Sequence, residues 1–242
     1  MAKKVYLVGA GPGDPELITI RALNLIKRAD TIIYDRLAND KILKNAKKGA
    51  KLIYVGKRKG AHPFKQEEIN KMLVEEAEED KIVVRLKGGD PFLFGRGGEE
   101  AMALKENGIA FEIVPGVTSA IAVPALANIP VTDRRYASSF TIVTGHEDPT
   151  KEEARIDYGE LKADTIVILM GVGNLEKIVS QMLKTRSEKT PVAMIQEGTT
   201  EKQKVVVDTL GGIVEKARRE GIKPPAIIVV GDVVKLREEF SR

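Results

Sequence analysis

The chain has 242 residues, with 39 Lys+Arg against 35 Asp+Glu, a formal net charge of +4, 43% hydrophobic residues and no cysteine. This length suits one large domain or two smaller ones, and the apolar content and mild net charge exclude a mainly disordered chain. The absence of cysteine excludes a disulfide scaffold, Cys-based zinc or iron–sulfur sites and thiol catalysis.

Short apolar runs rich in β-branched residues alternate with longer stretches of helical period along the whole chain. The predicted strands are Val5–Val8, Thr31–Tyr34, Lys51–Val55, Ile82–Leu86, Phe111–Val114, Ser139–Thr144, Thr165–Met170, Val192–Gln196, Lys204–Asp208 and Ala226–Val230. The predicted helices are Pro15–Arg28, Asp40–Lys44, Gln66–Glu78, Gly98–Glu106, Ser119–Ala127, Leu175–Lys184, Gly211–Glu220 and Val233–Phe240. This alternation predicts an α/β protein with largely parallel strands and right-handed crossovers in each half.

The domain junction is predicted near the midpoint, where Pro115-Gly116 follows a strand and precedes a helix of small residues. We therefore expect two α/β domains, residues 1–114 and 115–242. Two packed domains of this kind leave a cleft between them, and a ligand is expected there.

The chain is expected to be cytoplasmic, because no apolar run is long enough to cross a bilayer and the first residues lack a signal-peptide pattern. Nucleic acid is not expected as a partner, since basic residues are interleaved with acidic ones and no basic stripe with aromatics occurs. No metal site is expected, because His62 and His146 are the only histidines and neither has a partner at helical spacing.

The first strand ends in a glycine loop, Gly9-Ala10-Gly11-Pro12-Gly13-Asp14-Pro15, that superficially matches a dinucleotide-binding fingerprint. Asp14 stands where that fingerprint needs its last glycine, and its carboxylate would repel a pyrophosphate. Pro12 removes a backbone N–H from the middle of the loop. The loop therefore favours close main-chain approach to another group, and Asp14-Pro15 is typical of a helix start.

A second glycine cluster, Lys87-Gly88-Gly89-Asp90-Pro91-Phe92-Leu93-Phe94-Gly95-Arg96-Gly97-Gly98-Glu99-Glu100, follows the fourth predicted strand. An ordinary turn before a helix needs only one or two of these glycines. The density favours a ligand held against main chain at the carboxyl end of the strand, where open α/β sheets bind their ligands.

Two pairs of charged residues follow neighbouring strands: Asp35-Arg36 and Lys57-Arg58. A carboxylate and an ammonium at adjacent strand ends can share proton transfer, or they can form a salt bridge, and the spacing does not distinguish the two. Small residues also follow the strands of the second half, as in Thr144-Gly145, Met170-Gly171 and Glu197-Gly198, which favours one extended pocket lined by backbone.

Read in order, these loops resemble the tetrapyrrole methylase family over essentially the whole chain. The first glycine loop and Gly88-Gly89-Asp90-Pro91 are shared across that family. Further motifs resemble the branch that methylates uroporphyrinogen III: Tyr34-Asp35-Arg36-Leu37, Val55-Gly56-Lys57-Arg58, Phe94-Gly95-Arg96-Gly97-Gly98-Glu99-Glu100 and Val143-Thr144-Gly145-His146.

The resemblance implies a two-domain, non-Rossmann methyltransferase fold, a homodimer, and S-adenosylmethionine held in the interdomain cleft and released as S-adenosylhomocysteine. The residues that it implies as cofactor contacts are Pro12, Gly88, Gly89, Asp90, Leu93, Thr118, Ser119, Met170, Gly198 and Ala226. Asp90 also has an alternative role as a turn-forming or helix-capping acid.

By the same resemblance, Asp35 is the general base and Lys57 the general acid of a C-methylation of uroporphyrinogen III. Methylation at C-2 and C-7 gives precorrin-2 by way of precorrin-1, on the route to siroheme or cobalamin. Arg36, Arg96 and Arg134 are the expected partners of the substrate's carboxylates. The alternatives are a sister methyltransferase acting on another ring carbon of a precorrin and a nucleotide-binding regulatory module without catalysis. Asp133 departs from the family pattern, which often has His there, and this puts the nearby substrate contacts in doubt.

Overall fold

The computed structural model describes residues 3–56, 64–78, 80–146 and 156–240 of the chain. The chain divides into two compact units, Met1–Thr118 and Ser119–Arg242. Each unit is built on a five-stranded sheet with helices packed against it, so the fold is α/β with two separate sheets.

The first unit contains a wholly parallel sheet. Its elements in chain order are β1 (Lys4–Gly9), α1 (Ile20–Arg28), β2 (Thr31–Tyr34), α2 (Asp40–Leu43), β3 (Lys51–Tyr54), α3 (Gln66–Glu76), β4 (Ile82–Lys87), α4 (Gly97–Glu106) and β5 (Ala110–Val114). The strand order is β3-β2-β4-β1-β5, and every neighbouring pair is parallel. All five strands therefore end at the same edge of the sheet.

Both faces of this sheet are covered, which explains why its strands are apolar at nearly every position. Val84 and Leu86 of β4 pack with Leu25 and Ile26 of α1 on one face. Val83 faces the other side, in a core cluster to which α3 and α4 contribute. The side chains of β4 thus alternate between two cores, as the pleat of a strand requires.

The chain between β1 and β2 differs from the sequence-based prediction of one helix over residues 15–28. A single 3-10 turn, Pro15–Leu17, comes first, and the Asp14 carboxylate accepts a hydrogen bond from Glu16 N at 2.9 Å. The α-helix begins only at Ile20, where Thr19 provides a second cap by accepting from Ala22 N at 3.2 Å. The predicted cap at Asp14 is confirmed, but it caps the short turn.

The second unit contains a mixed sheet. Its elements are α5 (Ser119–Leu126), β6 (Phe140–Thr144), β7 (Thr165–Leu169), α6 (Leu175–Met182), β8 (Pro191–Gln196), β9 (Lys204–Thr209), α7 (Ile213–Arg219), β10 (Ala226–Val230) and α8 (Leu236–Phe240). The strand order is β6-β7-β10-β8-β9. Its core joins apolar residues of β6, β7, β8 and β10 to those of α6 and α7.

Strand direction in this sheet contradicts the prediction of largely parallel strands in each half. Only β6 and β7 pair in parallel, whereas β10 runs antiparallel to both β7 and β8, and β8 runs antiparallel to β9. The physical reason lies partly in the connection from β8 to β9, residues 197–203, which is too short for the crossover that a parallel pair needs. The prediction was therefore wrong for the second half and correct for the first.

Within the residues that the structure describes, no helix is both long and apolar enough to span a bilayer.

Candidate active site

Three loops meet at the carboxyl edge of the parallel sheet in the first unit. Gly11 and Gly89 exchange backbone hydrogen bonds, with N···O distances of 3.2 and 2.7 Å, and so form an isolated antiparallel bridge just beyond the parallel pair of β1 and β4. Ala10 N also donates to Lys87 O at 2.7 Å. The two glycine loops predicted from the sequence are therefore held together through their main chains.

The third loop contributes Gly116, which the sequence analysis used only as a domain marker. A Cβ atom placed on Gly116 would lie 2.2 Å from Gly89 O and 2.7 Å from the Cα of Gly9. Because both neighbours are backbone atoms, no side chain can turn aside to make room. Gly9 and Gly116 thus permit a contact with each other and with the backbone of Gly89 that no larger residue at either position would allow.

Asp90 holds this junction in place with both carboxylate oxygens. Its Oδ1 accepts a hydrogen bond from Phe92 N at 2.8 Å, and its Oδ2 accepts one from Gly116 N at 3.0 Å. The turn-forming role that the sequence left open is therefore present in the structure.

Gly89 itself leaves space on the outer side of the junction. Its φ of +66° lies in the left-handed region, and a Cβ built on it would meet no atom within 4 Å. Pro12 and Leu93, from the two glycine loops, are half-buried, and so is Thr118 after the third loop. The junction therefore leaves main chain uncovered beside Gly89.

Asp35 lies at the same sheet edge, directly after β2. Its Oδ1 accepts a hydrogen bond from Leu37 N at 3.0 Å, and its Oδ2 lies 3.5 Å from Arg85 Nη2. The Asp35 side chain is 28% exposed. One carboxylate oxygen is thus fixed by the loop and the other faces a buried guanidinium, while the side chain as a whole is partly exposed.

Two close approaches place Asp35 beside its neighbouring loops. A Cβ on Gly88 would lie 2.5 Å from Cβ of Leu37, so the Asp35 loop contacts the second glycine loop. A Cβ on Gly56 would lie 2.8 Å from Arg36 N, so the loop after β3 also contacts it. Lys57, the predicted general acid, directly follows Gly56 but lies outside the described residues, as do Arg58 and His62.

A group of buried charged residues beneath Asp35 was not predicted from the sequence. Arg85 and Lys87 lie on the same face of β4, and the side chain of each is 4% exposed. The fully buried carboxylate of Glu100 on α4 accepts from Arg85 Nε at 2.9 Å and from Lys87 Nζ at 2.7 Å. The available signal was two cations at alternate positions of an apolar strand, with a glutamate following on a helix.

The predicted substrate-binding arginines occupy exposed positions in both units. Arg36 and Arg134 are exposed. Arg96 adopts a φ of +58° just before α4, and its guanidinium forms a bidentate pair with Glu99, with both N···O distances at 2.9 Å. Asp133, the departure from the family pattern, accepts from Arg135 N at 2.9 Å, and this bond together with the Arg135 guanidinium lowers the pKa of its carboxyl.

The remaining predicted cofactor residues belong to the second unit, where strand direction brings three of them to one edge. Met170 follows β7 and Gly198 lies two residues after β8, whereas Ala226 is the first residue of β10. Because β10 is antiparallel to both neighbours, Ala226 pairs with Gln196, and the next residue along pairs with Leu169. The antiparallel direction of β10, which was not predicted from the sequence, is thus what aligns Ala226 with the other two.

Helix α5 closes over this edge of the second sheet. It packs against β7 and β10, and Ser119 is its first residue. A Cβ on Gly198 would lie 2.3 Å from Cγ1 of Val123, so the loop after β8 contacts the helix directly. Met170 has a φ of +57° and remains half exposed beside them.

Comparison with known proteins identifies the family to which this chain belongs. The family model for tetrapyrrole (corrin/porphyrin) methylases matches residues 4–214. A uroporphyrinogen-III C-methyltransferase of Methanocaldococcus jannaschii is 62% identical over 98% of both chains. An S-adenosyl-L-methionine-dependent uroporphyrinogen III methyltransferase of Methanosarcina barkeri is 53% identical over 97% of this chain and 93% of its own.

Among solved structures, the crystal structure of uroporphyrin-III C-methyl transferase from Thermus thermophilus complexed with S-adenyl homocysteine is similar throughout. It has a TM-score of 0.83 and 38% identity, and the match covers 96% of this chain and 99% of that one. With the family model matching most of the sequence and close relatives spanning nearly all of it, this chain belongs to the tetrapyrrole methylases.

Proposed function

We propose that this chain transfers methyl groups from S-adenosylmethionine to C-2 and C-7 of uroporphyrinogen III, forming precorrin-2 by way of precorrin-1. The observation that carries the proposal is the placement of Asp35, a partly exposed carboxylate whose loop contacts the Gly88-Gly89 loop. A proton acceptor and a backbone-lined surface are thereby adjacent. The uroporphyrinogen-III C-methyltransferase relative at 62% identity supports this substrate.

The protein forms no covalent bond to either reactant in this reaction. S-adenosylmethionine supplies an electrophilic methyl group on a sulfonium. A pyrrole ring carbon provides the electron pair of the new C–C bond, and the C–S bond breaks to leave a neutral thioether. The methylated ring is then cationic, so it must lose a proton to restore the neutral macrocycle. The protein mainly aligns the reacting atoms and accepts this proton.

Asp35 is the proposed proton acceptor. Its Oδ1 is held by Leu37 N, which leaves Oδ2 as the oxygen that can take up a proton. Lys57 is the proposed general acid, and Gly56 before it lies against the backbone of Arg36.

The proposed contacts to the methyl donor are mainly backbone. In the first unit they are Pro12, Gly88, Gly89, Asp90, Leu93 and Thr118; in the second they are Ser119, Met170, Gly198 and Ala226. The open space beside Gly89 fits such a ligand, since a Cβ there would point into the region that it needs. Because Asp90 already bonds two backbone N–H groups, we assign it to shaping the loop as well as to the ligand.

Arg36, Arg96 and Arg134 are the proposed partners of the substrate's carboxylates. Guanidinium groups bind carboxylates through paired, charge-assisted hydrogen bonds. Arg36 and Arg134 are exposed, while Arg96 would exchange its exposed pair with Glu99 for a carboxylate of the substrate. Exposed ion pairs of this kind contribute little to stability, so the exchange is energetically accessible.

An anaerobic incubation with uroporphyrinogen III and methyl-labelled S-adenosylmethionine tests the proposal. We expect the tetrapyrrole to gain two labelled methyl groups, at C-2 and C-7 by NMR. Labelling of a later precorrin, with none of uroporphyrinogen III, would instead identify a sister methyltransferase. Binding of ATP or NAD in place of S-adenosylhomocysteine would identify a nucleotide-binding module.

Replacing Asp35 by Asn tests the proposed base. We expect turnover to fall about a hundredfold or more, since general acid–base catalysis contributes factors of this size. The affinity for S-adenosylhomocysteine, measured by calorimetry, should stay unchanged. Asp40→Asn serves as the matched control, because Asp40 is an exposed carboxylate in the following helix. Full turnover in Asp35→Asn would reject the role.

We also propose that the chain is a homodimer, as the family resemblance implies. Size-exclusion chromatography with light scattering should give twice the mass of one chain, and a monomer mass would contradict this part of the proposal.

A further inference from the structure

The three buried charges beneath Asp35 and the Asp35 carboxylate together form a balanced set of four. Arg85 and Lys87 are the cations, and Glu100 and Asp35 are the carboxylates. Glu100 is wholly buried, and the structure gives its Oε2 no hydrogen-bond partner among the described residues. Removing a carboxylate from water is costly even when it is paired, so a gain in stability does not by itself explain its position there.

Glu100 contacts its charged neighbours through one carboxylate oxygen, Oε1. Oε1 accepts from Arg85 Nε and from Lys87 Nζ, and Gln66 Nε2 lies at 3.4 Å from the same atom. Glu100 and Gln66 come from α4 and α3, which pack against each other on this face of the sheet. The carboxylate thus lies between α3 and α4 and contacts the side chains of Arg85 and Lys87 at the end of β4.

Arg85 is the link between Glu100 and the sheet edge. While Nε donates to Glu100, Nη1 donates to the carbonyl of Leu86 at 3.1 Å and to that of Ile33 at 3.5 Å. The remaining nitrogen, Nη2, lies 3.5 Å from Asp35 Oδ2. Three hydrogen bonds from Nε and Nη1 therefore fix the plane of the guanidinium, and this plane determines where Nη2 points.

Lys87 depends on the same carboxylate. Burial, and next the charge of Arg85, lower the pKa of Lys87, while Glu100 opposes both effects. If the Glu100 charge is removed, Arg85 and Lys87 become two adjacent buried cations with only Asp35 to balance them. Asp35 would then be drawn toward the buried cations and away from the open side of its loop.

We propose that Glu100 is a positioning residue: by holding Arg85 and Lys87 it fixes the guanidinium against Asp35 and so orients the carboxylate that accepts the proton. This inference rests on the proposed function, in which Asp35 is the base. Glu100 touches neither substrate nor methyl donor in this proposal, and it acts only through Arg85.

A double-mutant cycle tests it, using Glu100→Gln, Arg85→Lys and the pair together. We expect Glu100→Gln to lower kcat about tenfold to a hundredfold, since small misplacements far from the reacting atoms have effects of this size. The KM for S-adenosylmethionine should stay within about twofold, because methyl-donor binding does not use this group. The double variant should be no slower than Arg85→Lys alone, because Glu100 has no effect once its intermediary is altered.

The matched control is Glu106→Gln, an exposed glutamate at the end of the same helix. If Glu100→Gln does not fold, the double variant Lys87→Met with Glu100→Gln replaces it in the same cycle. This variant removes one buried cation together with one buried carboxylate, so the net charge of the group is unchanged. An inactive wild-type protein would refute the proposed function itself. An active wild type with an equally active Glu100→Gln, or with losses that multiply in the double variant, would overturn the inference alone.

Discussion

Replacing Gly116 by Ala tests the junction of the three loops in the first unit. The added Cβ would lie 2.2 Å from Gly89 O, whereas Cβ atoms in proteins do not approach other heavy atoms closer than 3.0 Å, so the loops must separate by about 0.8 Å. This movement would also stretch the hydrogen bond from Gly116 N to Asp90 Oδ2, now 3.0 Å.

The expected loss of stability follows from these two effects. Overpacking against rigid backbone costs about 1–3 kcal/mol, and a weakened hydrogen bond to a carboxylate adds about 1 kcal/mol. We therefore expect about 2–4 kcal/mol in total, which moves a urea midpoint by about 1–2 M when the slope is about 2 kcal/mol/M. Circular dichroism provides the readout, and calorimetry with S-adenosylhomocysteine should show affinity reduced about tenfold or more.

Gly98→Ala is the matched control for this prediction. Gly98 lies in the first turn of α4, and a Cβ on it meets no atom within 4 Å. Alanine there should be neutral or stabilising by up to about 1 kcal/mol, because alanine favours a helix. An unchanged midpoint in Gly116→Ala would refute the close approach of the three backbones. A lowered midpoint with full S-adenosylhomocysteine affinity would show that the junction serves stability only.

Two further predictions concern other parts of the chain. Gly198→Ala should lower the free energy of unfolding by about 1–3 kcal/mol, because its Cβ would meet both Cγ atoms of Val123. Adding Val123→Ala should restore part of this loss, and a double variant no more stable than Gly198→Ala would contradict that contact. Asp30→Asn should cost about 1 kcal/mol at neutral pH, because hydrogen bonds from Lys47 Nζ and Ile82 N lower the pKa of Asp30 in the folded protein. That stability is present above about pH 4 and is lost as the pH falls through the folded-state pKa. The free energies of unfolding of the wild type and Asp30→Asn, measured by urea titration, should therefore converge below that pKa, and a difference that stays constant with pH would refute the assignment.

The positions of the strands could be predicted because burial on both faces leaves an unmistakable apolar run. All ten predicted strands are present, and β2 and β10 begin and end at the predicted residues. Strand direction could not be predicted in the same way, because it depends on how the connections run in space. Only the short connection after β8 carried a signal for an antiparallel pair, because seven residues cannot contain a crossover helix.

The candidate site shows the same division between local and long-range information. Glycine density located the loops, since several adjacent glycines have no use in a packed core. The contact of Gly9 with Gly116 could not be predicted, because it joins residues that are far apart in sequence and adjacent only in the folded sheet. The pairing of Glu100 with Arg85 is likewise fixed by how α4 packs on β4.

The place of β10 in the second sheet constrains the order in which that unit can form during synthesis. β10 is the last strand along the described chain, yet it lies in the middle of the sheet, between β7 and β8. Until Ala226–Val230 has left the ribosome, the nascent chain can form only two separate strand pairs, β6–β7 and β8–β9. Each pair then has an unpaired apolar edge. In the first sheet the corresponding strand is β4, which joins β1 to the β2–β3 pair and is followed along the chain by β5. The second unit therefore has to keep its half-sheets apart from other chains until its final strand arrives and joins them.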